Sequence, residues 1–277
     1  MDLRLMTWSD IPAGMRLKDI AGWNQTPADW ERFLSAHPEG CFVAEVDGKV
    51  VGTATTIVYE GRFAWISMVL VDPNYRGRGI GTRLLEKAIE HLDACGVATM
   101  KLDATPEGKP IYERLGFVAE YEIERWILER TPRALPLASP WPKLEGILEV
   151  DREVFGADRS TLLRSIHRDA PDLTLARHAF GKLSGYTLGR RGSHGDHLGP
   201  WMSCDAVSAR TLLDEFLQRS GREVVFMDCL KMNPYASQLA RARGFKFSRP
   251  FTRMYRGPNR YPGSPHLVCA VLGPEFG

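Results

Sequence analysis

Apolar residues at Leu84, Leu85, Ala88, Ile89 and Leu92 recur with a period near 3.6, which predicts one helix with a single buried face. Immediately before it, the β-compatible run ending in Val69, Leu70 and Val71 predicts a strand, and Asp72-Pro73-Asn74 predicts a turn. Between turn and helix stand three alternating glycines, Gly77, Gly79 and Gly81. Glycine leaves backbone N–H groups uncovered, and the start of a helix adds unpaired donors and a positive dipole end. Strand, turn, bend and helix together therefore predict a concave anion site that suits a pyrophosphate.

The same pattern reading extends along the chain. A first strand is expected over 3–6, helices over 15–21 and 29–36, and a hairpin of 41–45 with 50–59 about Asp47-Gly48. A strand over 63–71 enters the glycine bend, a strand follows over 98–104, and a short helix over 108–115 ends at Gly116. Residues 117–128 are expected to form a last strand pair. Four prolines, at 132, 136, 140 and 142, then mark 131–143 as a linker, because proline at that density resists helix and interior strand alike. The expected division is 1–130, linker 131–143, and 144–277.

The second half repeats the first. At an offset of 128, Leu84, Leu85, Ala88 and Ile89 return as Leu212, Leu213, Phe216 and Leu217; Gly116-Phe117 returns as Gly244-Phe245, and Arg125 as Arg253. Leu102-Asp103 also finds a match in Met227-Asp228. The repeat has lost the glycine bend, since Asp205 stands only seven positions before Leu212, whereas Asp72 stands twelve before Leu84. Tyr112 becomes Ala240. One active and one degenerate domain are expected, and the degenerate one is expected to cover the acceptor side and set acceptor choice.

The glycine bend matches neither the Walker pattern nor the Rossmann fingerprint. It resembles the acyl-CoA signature of the GNAT superfamily of N-acetyltransferases, Q/R-x-x-G-x-G/A, met here by Arg76, Gly79 and Gly81. The segment from Val69 to Tyr75, and Ile111-Tyr112-Glu113-Arg114-Leu115-Gly116-Phe117, resemble further hallmarks of that family in the right order. The resemblance implies an α/β layered fold of two tandem domains. Each is a mixed, mostly antiparallel twisted sheet with helices on both faces.

It also implies transfer of an acetyl group from acetyl-CoA to a primary amine of a small molecule by direct attack. The pyrophosphate would lie on Arg76, Gly77, Arg78, Gly79, Ile80, Gly81 and Thr82. Backbone groups of Val69, Leu70 and Val71 would meet the pantetheine amides and the thioester oxygen. Tyr112 stands where the family keeps its proton donor for the departing thiolate; packing against a helix is its other reading.

The attacking amine must lose a proton, and here the chain departs from the family. Ser67 occupies the register where many relatives carry glutamate. Asp103, Glu60 and Asp205 remain open as bases, the first two through a water. The asparagine that many relatives place before the tyrosine helix is also replaced, by Thr105-Pro106-Glu107-Gly108. Trp23 and Asn24 fit an acceptor pocket, or an indole that anchors a loop. A protein or peptide N-acetyltransferase and a non-catalytic acyl-CoA-sensing module are the competing readings.

Composition narrows this little further. The chain has 277 residues, 44% hydrophobic and 25% charged, with net charge +2, which gives no global field for nucleic acid. The basic, aromatic stretch over 241–260 reads as a half-buried strand pair. Five cysteines without a C-x-x-C pair suggest neither disulfides nor zinc, and no metal is expected. His194, Asp196 and His197 read as a polar hairpin tip. No signal or spanning segment is evident, so a cytoplasmic protein without membrane association is expected, either monomer or homodimer.

Overall fold

The computed structural model describes residues 1–132 and 142–277; most of the expected linker, 133–141, lies outside the described residues. The chain forms two compact units. The first comprises Met1–Ala119, Met254–Arg260 and Phe276, and the second Glu120–Arg253, Tyr261–Glu275 and Gly277. These differ from the linear division at residue 130 over 120–130, over 254–260 and at Phe276.

The first unit runs β1 (Asp2–Leu5), α1 (Ile11–Ile20), α2 (Pro27–Ala36), β2 (Phe42–Val46), β3 (Lys49–Tyr59), β4 (Phe63–Val71), α3 (Ile80–Ala94), β5 (Met100–Ala104) and α4 (Lys109–Arg114). Strands β1 to β4 pair antiparallel in sequence order, and β5 joins β4 in parallel. The next position in the sheet is taken by the end of the strand Lys246–Arg256, whose residues from Met254 onward belong to this unit.

Helix α3 lays Leu84, Leu85, Ala88, Ile89 and Leu92 on the sheet face that carries Ala64, Ile66, Met100 and Leu102. Trp65, fully buried between Ala64 and Ile66, points to the opposite face by strand alternation, where α1 and α2 meet β3. Burial of each such leucine or isoleucine stabilises by about 1.5–3 kcal/mol. Helices α1 and α2 come close because Gly14 has no side chain: a Cβ there would stand 2.9 Å from the Trp30 ring.

The second unit begins with most of β6 (Val118–Glu129) and continues α5 (Glu145–Phe155), α6 (Ser160–Asp169), β7 (Leu175–Ala179), β8 (Lys182–Arg191), β9 (Asp196–Ser203), α7 (Ala206–Arg219), β10 (Val224–Leu230), α8 (Ala236–Ala242), β11 (Lys246–Arg256) and β12 (Val268–Ala270). From two helices onward this repeats the first unit's order. Leu212, Leu213 and Phe216 of α7 fill the core against Val225, Met227 and Leu198.

Two expected strand pairs are single strands. Residues 117–128 hold no glycine, proline or asparagine to turn the chain, so β6 runs straight through and pairs antiparallel with β10 from Ile123↔Leu230 to Glu129↔Val224. The basic, aromatic stretch is likewise one strand, β11, which buries Phe251 and exposes Phe247. The hairpin tip is confined to 192–195; Asp196 and His197 are buried strand residues, Asp196 held by Arg191 at 2.6 Å and Ser220 at 2.8 Å.

Candidate active site

The first unit's site is built where β4 and β5 part. Parallel pairing covers only Ala64↔Met100 and Trp65↔Lys101, and beyond it β4 runs on to Val71 along an edge that β5 does not meet. Asp72 donates its N–H to the Val51 carbonyl on β3 at 2.8 Å. By strand alternation Val71 and Val69 turn their N–H and C=O groups to the other side, toward the gap. Arg76 accordingly reaches the Val71 carbonyl with its Nε, at 3.2 Å.

A bulge sets this edge. Thr53 faces Leu70 and Thr55 faces Ser67, so β4 carries one residue more than β3 over the interval. Met68 absorbs it with φ of 51°, an uncommon value for a residue with a side chain. The Thr53 hydroxyl donates to the Met68 carbonyl at 2.7 Å and holds the kink. Ser67 is buried with its hydroxyl 3.1 Å from that of Thr55.

After β4, Asp72 caps a one-turn 3₁₀ helix over Pro73–Tyr75 by accepting the Asn74 N–H. Arg16 of α1 holds the same carboxylate at 2.8 Å, and Lys49 stands 3.4 Å away. Burial opposes ionisation of Asp72, yet the Arg16, Asn74 and Lys49 contacts outweigh it and hold the carboxyl below its usual range. The bend that follows is exposed at Arg76, Gly77, Arg78 and Gly79. Gly77 and Gly79 take φ of 75° and 76°, which glycine alone adopts without cost, and a Cβ at either would meet nothing within 4 Å.

Among the described residues, no backbone acceptor takes the N–H groups of Gly77, Arg78, Gly79, Ile80, Gly81 or Thr82; the first such bond is Arg83 to Gly79 at 3.0 Å. Gly79 offers no side-chain cap to α3. Six donors without a backbone partner and the positive end of a fifteen-residue helix thus meet the exposed arginines at 76 and 78 in one short bend. The bend therefore fits the diphosphate of a coenzyme A nucleotide, and the unpaired β4 edge fits an amide-bearing arm.

The loop from β5 into α4 leaves the same ends of the two parallel strands as the glycine bend. Helix α4, which that loop enters, carries Tyr112, half-buried and edge-on to Phe117 at 6.1 Å. Burial pushes the phenol up to about 12, so it keeps its proton through the neutral range. Its hydroxyl makes no hydrogen bond among the described residues.

Of the other expected residues, Asp103 is half-buried on β5 two positions past the last β4 pairing. Glu60 sits in the turn before β4, 3.3 Å from Arg62. Trp23 is half-buried and Asn24 buried in the connection between α1 and α2. Asp205 is the cap of α7: its carboxylate takes the Ser208 N–H at 2.8 Å and the Ser208 hydroxyl at 2.8 Å, which lowers its pKa. Sequence reading missed Arg16 and Thr53, the anchors of the bend and of the bulge, because each acts on a residue of another element, Asp72 and Met68.

The second unit lacks both halves of this arrangement. Only Cys204 and Asp205 separate β9 from α7, so there is no bend. Its strands β9 and β10 pair in parallel over Asp196–Leu198 and then part, but β12 enters the gap, with Ala270 opposite Trp201 and Cys229.

The order of helices and strands, met twice and once with the glycine bend between strand and helix, is that of an acetyltransferase fold. The chain belongs to the GNAT family: residues 7–117 match the Acetyltransferase (GNAT) family, and residues 147–268 match an acetyltransferase (GNAT) domain. A holothin acyltransferase from Pseudoalteromonas sp. is 26% identical over 98% of this chain and 95% of that protein. The uncharacterized N-acetyltransferase YitH of Bacillus subtilis is 26% identical over 63% of each chain. A crystal structure of a candidate acetyltransferase from Pyrococcus horikoshii covers 100% of this chain and 95% of its own, with a TM-score of 0.84 and 23% identity. No helix among the described residues is long and apolar enough to cross a membrane.

Proposed function

We propose that the first unit transfers an acetyl group from acetyl-CoA directly to the primary amine of a small molecule. The observation that carries this reading is the coincidence of six unbonded N–H groups at the start of α3 with the unpaired, bulged edge of β4. When bound, the thioester supplies an acyl carbon open to attack by an amine.

The chain's own groups have distinct tasks in this reading. The N–H groups of 77–82 and the helix dipole hold the diphosphate, aided by Arg76 and Arg78. Val69 and Val71 offer backbone groups to the extended arm and to the thioester oxygen. Tyr112, protonated at neutral pH, gives its proton to the leaving sulfur. Asp103, close beside the gap, is the nearest carboxylate along β5 to receive a proton from the amine through water. The end-to-end relative named for acylating holothin supports acyl transfer as the reaction.

The test is release of free CoA thiol from acetyl-CoA across a panel of small amines, amino acids and amino sugars, with peptides as controls. Turnover on a small amine, abolished by Gly79→Glu with Gly81→Glu, is the expected result. Turnover on peptides alone would move the acceptor class to proteins. Acetyl-CoA binding without turnover on any acceptor would favour a sensor.

A further inference from the structure

We propose that His37, His91 and Cys95 of the first unit form a zinc-binding site that fastens the end of α2 to the last turn of α3. The three side chains offer ligand atoms that all lie within 4.8 Å of one another. His91 Nε2 stands 3.2 Å from His37 Nε2 and 3.6 Å from Cys95 Sγ. Tetrahedral zinc, with Zn–N of about 2.05 Å and Zn–S of about 2.3 Å, sets nitrogens roughly 3.3 Å apart and nitrogen and sulfur roughly 3.6 Å apart. Both spacings around His91 are therefore those of a zinc site.

Hydrogen bonding selects the ligating tautomer of His37. The Thr56 hydroxyl donates its proton to the Gly40 carbonyl at 3.0 Å. Its oxygen is then an acceptor toward His37 Nδ1, 2.7 Å away, so the ring proton sits on Nδ1 and the Nε2 lone pair faces the cluster. Gly40 makes room for this support: a Cβ there would fall 2.0 Å from Thr56 Oγ1 and 2.4 Å from His37 Nδ1.

The other two ligands are set by helix geometry. His91 and Cys95 are four apart on α3, and the Cys95 N–H still bonds the His91 carbonyl at 3.0 Å, so both side chains leave the same face. The Phe42 ring stands edge-on to His91 at 5.8 Å and limits its rotation. Two nitrogens and a thiolate suit zinc rather than magnesium or calcium, and leave a fourth position to water.

The experiment uses the full chain stripped with a chelator and then titrated with Co²⁺ alone and Zn²⁺ alone. One equivalent of Co²⁺ is expected to give tetrahedral d–d bands with a thiolate-to-metal charge-transfer band. Zn²⁺ should displace it and raise Tm. Cys95→Ser, an exposed position, should abolish the charge-transfer band and lower Zn²⁺ affinity by at least about 10²-fold, while Cys204→Ser changes neither. Thr56→Val should weaken Zn²⁺ by about 10- to 100-fold with the band retained, the loss typical of a ligand's supporting partner. A charge-transfer band that survives Cys95→Ser, or Zn²⁺ affinity equal in wild type, Cys95→Ser and His91→Ala, would overturn the site and leave His37–His91 as a hydrogen-bonded imidazole pair. None of these readouts depends on acetyl transfer.

Discussion

Ala270 of the C-terminal strand pairs antiparallel with Cys229 of β10, inside the second unit's own gap. The backbone edge that the first unit leaves open is here used up by the chain itself, and β12 also meets β9 at Trp201. The missing bend before α7 removes the diphosphate donors as well. Titration calorimetry is therefore expected to show one acetyl-CoA per chain. A stoichiometry near two would mean that β12 leaves its place readily, and would sink the assignment of the second unit as inert.

The bulge at Met68 depends on Thr53. Thr53→Val keeps the volume but removes the donor to the Met68 carbonyl, leaving a buried acceptor unsatisfied at a cost of about 1–3 kcal/mol. Because the same kink aims the groups of Val69 and Val71, the KM for acetyl-CoA should rise along with the loss in urea stability. Lost stability with unchanged KM would confine the bulge to a folding role.

The glycine bend and α3 were legible because their signals are local: a 3.6-residue period, a turn and three glycines within one short stretch. The duplication was legible for the same reason, since Leu212, Leu213 and Phe216 repeat a pattern rather than a contact. What pairs with what was not. Nothing in Val118–Glu129 announces that β6 lies against β10, or that Met254 belongs to the first unit's core, because strand partners are chosen by contacts between residues far apart along the chain. The bulge was hidden too, since Met68 takes a left-handed conformation that glycine would have flagged. The His37, His91 and Cys95 cluster was not read from the sequence, because His37 comes from another element 54 residues before His91.

Acid should weaken the first unit partly through Asp10. Arg4 holds both of its oxygens, at 2.8 and 2.9 Å, and with the Thr7 N–H this outweighs burial and brings the carboxyl down to about 2. The folded pKa lies below the unfolded value of roughly 3.9, so the contribution is complete above that pH and is lost as pH falls toward 2. Arg4→Met removes most of it. Urea midpoints of wild type and Arg4→Met should differ at pH 6 and converge between pH 4 and pH 2; a gap that stays constant would assign the Arg4 effect to packing or to its second partner, Glu45.

Tyr112 is the sharpest test of the chemistry, because its two readings separate in kinetics. As a proton donor it must hold its proton at working pH, and burial secures that by raising the phenol to about 12. It must also keep its hydroxyl free of internal partners, and no hydrogen bond engages it among the described residues. As a packing residue it needs only its ring, edge-on to Phe117. Tyr112→Phe keeps the ring and removes the proton. The expected result is a kcat lower by about 10² to 10⁴, with little change in acetyl-CoA affinity, since the bend and the β4 edge are untouched. The loss should shrink with acyl donors whose leaving thiol is more acidic, because a better leaving group needs less help from an acid. An unchanged kcat in single-turnover measurements, where product release does not intervene, would return Tyr112 to packing and require another proton source for the thiolate.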